Sequence, residues 1–240
     1  MDTNLLPGIW SKCLNHNEAV AAGRLQRRYA LMHQGNIIFL NGTSSSGKTL
    51  IAKTLQELLD GYYIHTGIDH YLERVPERFH VHADGSSPSI AEGFLWIHAD
   101  ANQQVTEIRL GPAGLRLLKG MYRAAAALAS AGNDLIIDDV LFDPRALPEA
   151  VDALHMFNVL FVGVRCPLAV AEQRERERGD RFLGLVTAHH ELVHAHKLYD
   201  LEVDTSISSE MDCALQIKQR LQYGPAPTAF LQLKARMAKE

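Results

Sequence analysis

The residues from 42 to 49 have the types and the spacing of a phosphate-binding loop. They read G-T-S-S-S-G-K-T and fit the pattern G-x-x-x-x-G-K-[ST] at each required position. An apolar run precedes the loop and a helical pattern follows it, which is the context in which this motif binds phosphate. The predicted phosphate-binding residues are Gly42, Thr43, Ser44, Ser45, Ser46, Gly47, Lys48 and Thr49.

Each residue type in this loop has a separate role in holding a nucleotide. The two glycines let backbone N–H groups turn inward, and the helix that follows adds its positive N-terminal end. Lys48 is expected to reach the β- and γ-phosphates, and the Thr49 hydroxyl is expected to ligate Mg²⁺. The sequence has no N-K-x-D motif for guanine, which argues against a GTPase, and it lacks the H-R-D and D-F-G motifs of protein kinases.

Two adjacent carboxylates, Asp138 and Asp139, follow the apolar run in LIIDDVLF. An acidic residue at the end of a buried strand beside a phosphate loop orients the magnesium ion, directly or through water. One of the two is therefore a predicted magnesium residue, and the sequence does not choose between them. The alternative is that either carboxylate caps the turn that follows the strand.

Asp69 stands directly after a second predicted strand, in HTGIDHYLERV. Ligands of parallel α/β sheets lie outside the carboxyl ends of the strands, so Asp69 is placed where a phosphoryl acceptor would bind. We interpret it as the base that holds the acceptor hydroxyl and takes its proton late in the transfer. The same position fits a helix N-cap, because Asp69 precedes a short helical pattern.

The stretch QRERERGDR carries arginines that suit the lid of a kinase. Arg178 and Arg181 bracket the predicted helix end at Gly179, and their guanidinium groups could close over a triphosphate during transfer. Arg174 and Arg176 fit better a solvated helix face with charge pairs four residues apart. We therefore expect Arg178 and Arg181 to act with Lys48 and Asp69 in catalysis.

The segment from His190 to His194 reads HELVH and matches the zincin pattern H-E-x-x-H. On one continuous helix the two histidines could hold zinc, with Glu191 as the base of a metallopeptidase. The pattern is short and the chain has 12 histidines, so the phosphate loop explains the sequence better. The peptidase stays as an alternative of another class.

The elements that must position these residues alternate between apolar strands and amphipathic helices, which predicts an α/β fold with a central parallel sheet. Between residues 78 and 112 the alternation breaks, and 93–111 read as a hairpin. Strands are predicted at 36–40, 62–66, 134–138, 158–165 and, as an edge strand, 200–205. Helices are predicted at 17–35, 113–132 and 167–179, after Ser209, and in the tail.

Composition excludes several classes of protein. The 240 residues are 47% hydrophobic and carry a formal net charge of −4, which disfavours non-specific binding to nucleic acid. The three cysteines are far apart, in neither a metal nor a disulfide pattern, so we expect a cytoplasmic protein. No apolar run approaches the roughly 18 residues of a membrane span, and we see no secretory signal.

The phrases FLNGTSSSGKT, GIDHYLE, IIDDVLF, VGVRCPLAVAEQRERERGDR and YDLEVDTS together resemble the chloramphenicol phosphotransferases, in order and spacing, from about Asn36 to Leu221. The resemblance implies a three-layer sandwich like that of P-loop nucleotide kinases, with a helical lid. It implies ATP bound by residues 42–49, Asp69 as base, and Arg178 and Arg181 in the lid. It also implies 3-O-phosphorylation of the antibiotic, which confers resistance by inactivation.

The resemblance divides the chain into an N-terminal helical extension at 1–35, a kinase domain at 36–223 and a tail helix at 224–240. Within the domain we expect an acceptor-side insertion at 78–112 and a lid region at 174–198. The insertion has its own sequence, so a kinase of another hydroxylated metabolite, nucleoside or antibiotic stays an alternative. So does a nucleotide-binding module without catalysis, and oligomerisation is left open. The expected partners are ATP, Mg²⁺ and a small hydroxyl acceptor.

Overall fold

The computed structural model describes residues 34–76, 93–102, 104–179 and 183–239. Nearly all of the predicted N-terminal extension, residues 78–92 and 103 of the predicted insertion, and Arg181 lie outside these residues. None of the helices in the described ranges is long and apolar enough to cross a membrane.

The strands and helices of the described chain follow the predicted alternation. The strands are β1 (Ile37–Asn41), β2 (Tyr63–Gly67), β3 (Leu95–Ala99), β4 (Val105–Leu110), β5 (Asp134–Asp139), β6 (Val159–Arg165) and β7 (Leu201–Asp204). The helices are α1 (Lys48–Leu58), α2 (Ile68–Leu72), α3 (Pro112–Ser130), α4 (Ala146–Leu154), α5 (Leu168–Arg178), α6 (Leu185–His189), α7 (Glu210–Tyr223) and α8 (Ala229–Met237).

Five of these strands form one parallel sheet in the order β2-β5-β1-β6-β7. The predicted α/β fold with a central parallel sheet is confirmed, and the strand at 201–204 lies at an edge as expected. In the sheet register, Asn41 of β1 lies opposite Asp139, and Gly67 of β2 lies opposite Asp138. The carboxyl ends of β1, β2 and β5 therefore meet at one edge of the sheet.

The sheet is covered on both faces, which is why its inner strands are apolar at consecutive positions. On one face the side chains of Phe39, Tyr122 and Phe161 belong to a core that includes residues of α3 and α4. On the other face Leu55 of α1 and Ile217 of α7 pack against the sheet. The strands alternate between these two cores, so neighbouring residues on one strand serve opposite faces.

The tail helix α8 packs into the first of these cores. Phe230 and Leu233 are buried there, and the Phe230 ring lies 5.5 Å from that of Phe39 and 5.1 Å from that of Phe161. The short helix predicted for the tail is thus present, and its apolar face completes the covering of β1 and β6. The helix α7 begins at the expected Ser209, whose side chain forms a capping box with Asp212.

The predicted hairpin is also present, as the antiparallel pair β3 and β4. Its end is pinned to the main domain by the buried carboxylate of Asp143, which accepts a hydrogen bond from the Leu110 N–H at 3.1 Å. Arg145 donates to the Leu110 carbonyl at 2.6 Å and forms an ion pair with Asp143. The hairpin therefore has a defined place beside the start of α3.

Candidate active site

The eight residues of the predicted phosphate loop lie between β1 and the first turn of α1. The loop turns through two residues with positive φ, Ser45 at 59° and Gly47 at 90°. A Cβ atom at Gly42 would lie 2.5 Å from the Val164 carbonyl oxygen, so only glycine fits this close approach to β6. Lys48 is buried and donates to the Thr43 carbonyl at 2.8 Å, inside the curve of the loop.

A cavity of about 340 Å³ opens in front of this loop. Groups from four separate parts of the chain line it: the phosphate loop, the start of α2, the end of β5 and one face of α5. The structure brings together at this cavity most of the site residues predicted from separate motifs. Those that line it are Ser44, Ser45, Gly47, Lys48, Thr49, Asp69, Asp138 and Arg178.

Asp138 faces the cavity and is surrounded by donors. The Thr49 hydroxyl donates to its Oδ2 at 2.5 Å, and Lys48 Nζ lies 3.9 Å from its Oδ1. Burial would raise the pKa of this carboxyl, but His65, Lys48 and Thr49 together hold the pKa below its usual value. Asp138 is therefore ionised at neutral pH, and its oxygens with that of Thr49 form a hard oxygen set that suits Mg²⁺ beside a phosphate.

Asp139 points away from the cavity, into the core. Its carboxylate accepts hydrogen bonds from the Tyr122 hydroxyl and, at 2.7 Å, from the Val140 N–H. Burial first, and also the charge of Asp138, raises the pKa of Asp139 to about 6. The two carboxylates that the sequence could not tell apart thus occupy different environments, and Asp138 is the one beside Thr49.

Asp69 lies in the first turn of α2, where it is exposed to the cavity. The N-cap of this helix is Gly67, so the alternative interpretation of Asp69 as the N-cap is wrong. Gly67 also lets β2 approach β5, since a Cβ atom there would lie 2.0 Å from the Asp138 carbonyl oxygen. This close contact sets Asp69 and Asp138 on neighbouring sides of one cavity.

The arginines of α5 are arranged differently from the expectation. Arg178 lines the cavity and Arg176 is exposed, whereas Arg181 lies outside the described residues. Arg174 was expected on a solvated face, but it also lines the cavity and donates to the Thr205 hydroxyl at 2.9 Å and carbonyl at 2.7 Å. The i, i+4 spacing explains this, because it places Arg174 and Arg178 on the same face of α5.

Thr205 is a second residue that sequence reasoning missed. Its hydroxyl donates to the Ser46 carbonyl at 2.9 Å, so it joins Arg174 to the phosphate loop. The residue follows the edge strand β7, a place where ligand-binding residues of parallel sheets are found. That position was the available signal, although nothing local distinguishes this threonine from the serines that follow it.

Two buried side chains, Glu175 and His189, hold the chain between α5 and the phosphate loop. Glu175 accepts hydrogen bonds from the Gly184 N–H at 2.8 Å and the Val186 N–H at 3.0 Å, at the start of α6. At the other end of α6, His189 Nδ1 lies 3.1 Å from the Thr43 hydroxyl. These contacts fix α6 between α5 and the phosphate loop.

The HELVH segment does not lie on one helix. The helix α6 ends at His189, and a separate 3₁₀ turn spans Leu192–His194. His190 Nε2 lies 3.0 Å from the Cys166 carbonyl, and His194 Nδ1 lies 2.6 Å from the Tyr199 hydroxyl. Across the described ranges no group of three or more His, Cys, Asp or Glu side chains could hold a metal ion, so the zinc-site hypothesis gains no support.

A family model and two curated relatives match most of this chain. The model of the chloramphenicol phosphotransferase-like protein family matches residues 35–222. Two curated proteins of Mycobacterium tuberculosis, from strains CDC 1551 and H37Rv, are 31% identical over 222 residues, or 90% of this chain and 96% of each relative. Their names class them provisionally as O-phosphotransferases.

Solved structures agree with the fold. An APS kinase of Mycobacterium tuberculosis, in complex with AMPPNP and APS, is 17% identical with a TM-score of 0.54, over 79% of this chain and 98% of its own. A sugar kinase of Janibacter sp., without ligand, is 17% identical with a TM-score of 0.51, over 76% of this chain and 93% of its own. At these identities the likeness establishes the fold alone.

Proposed function

The chain belongs to the chloramphenicol phosphotransferase-like family, and on that premise we propose that it moves the γ-phosphoryl group of ATP to a hydroxyl of a small molecule. The family makes it a phosphotransferase enzyme of the small-molecule kinase type. One observation carries the proposal: Lys48, Asp138 and Asp69 line a single cavity, although they come from three separate elements.

The residues that line the cavity suit different parts of phosphoryl transfer. Lys48, Arg174 and Arg178 are cations that line the cavity together with the phosphate loop, which suits a triphosphate and the charge that develops during transfer. Thr49 and Asp138 would hold Mg²⁺, which neutralises phosphate charge when bound. Asp69 would orient the acceptor hydroxyl and receive its proton as the new P–O bond forms.

For the acceptor we propose a chloramphenicol-type antibiotic, phosphorylated at its 3-hydroxyl and so inactivated. The family name supports this choice, and Ile68 and Val140 give the cavity an apolar border beside Asp69. A kinase of another hydroxylated metabolite, nucleoside or antibiotic is the second candidate. The relatives support this second candidate because their names state O-phosphotransfer without specifying an acceptor.

We further propose that the enzyme works in the cytoplasm and that the chain divides as its motifs predict. The two described cysteines, Cys166 and Cys213, are buried free thiols, which suits a reducing compartment. The proposed divisions are an extension at 1–35, a kinase domain at 36–223 with its insertion at 78–112 and lid at 174–198, and a tail at 224–240.

The test is a screen with γ-labelled ATP and Mg²⁺ over chloramphenicol-type antibiotics, nucleosides and hydroxylated metabolites. We expect label on the acceptor with the parent protein and with Lys239→Ala, which changes an exposed lysine near the chain end. Lys48→Ala should remove the transfer, because the cation inside the loop is lost. Full turnover by a folded Lys48→Ala protein would end the proposal, and label on another acceptor would replace the antibiotic as substrate.

A further inference from the structure

His65 is a largely buried histidine at the edge of the site, and the proposed mechanism gives it no role. It lies on β2, four residues before Asp69, and its side chain is 9% exposed. Its Nε2 atom is buried and has no hydrogen-bond partner among the described residues. An unpaired polar atom in a buried position is unfavourable, so its presence calls for a partner in the working state.

The Asp138 carboxylate lies close to this nitrogen. His65 Nε2 lies 3.7 Å from Asp138 Oδ2, which is slightly too far for a hydrogen bond. The same oxygen already accepts the Thr49 hydroxyl, while Oδ1 faces Lys48. Asp138 is thus surrounded on the protein side by Lys48, Thr49 and His65, and a shift of less than about 1 Å would close the third contact.

The ring of His65 is held in this position by its surroundings. It meets the ring of His70 on α2 edge-on, with centroids 5.0 Å apart. In the register of β2 and β5, His65 pairs with Ile136 and Gly67 pairs with Asp138. His65 and Asp138 are therefore diagonal neighbours near the carboxyl ends of the two strands. His65 therefore stands between the carboxylate of β5 and the helix that carries Asp69.

An imidazole in this place does not suit direct binding of the ion. Mg²⁺ takes oxygen ligands in near-octahedral geometry, whereas imidazole ligands suit Zn²⁺, Cu²⁺ and Ni²⁺. A histidine that donates to a metal-binding carboxylate instead fixes the direction in which the carboxylate presents its free oxygen.

We propose that His65 is a positioning residue, whose Nε2–H donates to Asp138 when the nucleotide and Mg²⁺ are bound and so aims this carboxylate at the ion. The inference rests on the proposed function. It predicts a selective effect: loss of the donor weakens the dependence of nucleotide binding on Mg²⁺ and leaves Mg²⁺-free binding to the loop amides and Lys48 unchanged.

The experiment compares His65→Leu, which removes the donor, with His65→Gln, whose amide N–H can take the place of Nε2–H. The control is His155→Gln, at the end of α4 and remote from the cavity. Binding of a fluorescent, non-hydrolysable ATP analogue is measured against Mg²⁺ concentration and in EDTA, together with the melting temperature. For His65→Leu we expect half-maximal binding to need about tenfold more Mg²⁺, the lower end for outer ligands of a metal, and parental behaviour in EDTA.

His65→Gln and the control should both follow the parent protein. Equal Mg²⁺ dependence of His65→Leu and parent would overturn the inference and leave the proposed function intact. So would a loss of binding that is as large in EDTA as with Mg²⁺. Should the leucine variant unfold, His65→Asn, whose shorter amide cannot reach Asp138, replaces it with the same two outcomes. Absence of nucleotide binding by the parent would overturn the proposed function, and the inference with it.

Discussion

At the residue scale, the proposed chemistry involves three aspartates whose carboxylates differ in where they point. Asp69 is exposed to the cavity, Asp138 is held there by Thr49, and Asp139 is buried against Tyr122. We therefore propose a different role for each: Asp69 for the acceptor, Asp138 for the ion, and Asp139 for the core. Each assignment makes a different substitution harmful in a different assay.

The variant Asp69→Asn tests the proposed base. Asparagine keeps the size of the side chain but cannot take the acceptor proton, so turnover should fall by roughly 10²–10⁴-fold. Asp69 lies in the first turn of α2, and loss of its charge there should lower stability by only about 0.3–1 kcal/mol. Turnover and melting temperature are measured on one preparation, with the acceptor that the screen identifies.

The matched control is Glu73→Gln, an exposed carboxylate at the end of the same short helix. It should turn over like the parent. An Asp69→Asn protein that melts normally and retains turnover within a few-fold of the parent would remove Asp69 from the mechanism.

The pair Asp138→Asn and Asp139→Asn separates the ion site from the core. For Asp138→Asn we expect the Mg²⁺ requirement of nucleotide binding to rise at least about tenfold, because the ionised ligand is lost. For Asp139→Asn we expect parental Mg²⁺ dependence and a changed free energy of unfolding, by about 1–3 kcal/mol, since one hydrogen-bond partner of its carboxylate faces an amide N–H₂. Nucleotide titrations and denaturant unfolding measure the two effects, and the reverse pattern would exchange the two assignments.

At the scale of elements, α5 and α6 are joined by a carboxylate that belongs to α5 and accepts hydrogen bonds at the start of α6. Glu175 of α5 accepts from two backbone N–H groups at the start of α6, while Arg174 beside it holds Thr205. Because α5 also carries Arg178, the position of α6 and that of the arginine face are linked. This part of the structure, proposed as the lid, is therefore held together by contacts between separate elements.

The variant Glu175→Gln should loosen this arrangement. The amide keeps one acceptor oxygen and turns an N–H₂ group towards the second backbone donor, which leaves that donor unpaired at about 1–3 kcal/mol. We expect a lower melting temperature and faster hydrogen exchange at residues 184–190. Glu177→Gln, an exposed neighbour that pairs with Gln173, is the control and should change neither quantity. Unchanged exchange in Glu175→Gln would show that α6 does not depend on this carboxylate.

At the scale of the whole molecule, stability should depend on pH through two partly buried histidines. Burial above all, with the charge of Arg165, lowers the pKa of His194 to about 3 and that of His196 to about 4. Both are neutral in the folded protein at pH 5, whereas in the unfolded chain they titrate near the ordinary value of about 6.5. Their contribution to stability is therefore full above about pH 6.5 and is lost as the pH falls towards the folded values.

The variant His196→Gln should flatten this dependence. Between pH 7 and pH 5 the free energy of unfolding of the parent should fall by about 1 kcal/mol more than that of the variant, after a discount for the partial exposure of the ring. Urea unfolding at the two pH values measures the difference, which is insensitive to the Phe161 stacking that the variant also loses. Equal slopes in parent and variant would contradict the pKa shift of His196.

The sequence by itself determined the parts of this protein that depend on local pattern. The phosphate loop was visible because Gly42, Gly47 and Lys48 must stand at fixed spacing for the backbone to curl around phosphate. The parallel sheet was visible because strands covered on both faces are apolar at consecutive positions. Asp69 could be placed because it directly follows a strand, where ligands of such sheets bind.

Only the tertiary structure decided between residues that local pattern makes equivalent. Asp138 and Asp139 point to opposite faces of β5, and which face holds the phosphate loop depends on the packing of α1 and α3 against the sheet. Arg174 lines the cavity, where it donates a hydrogen bond to Thr205, which lies 31 residues later in the chain. His65 meets Asp138 only because β2 and β5 are neighbours in space. Such contacts join segments that are far apart in the chain, so no local sequence pattern reveals them.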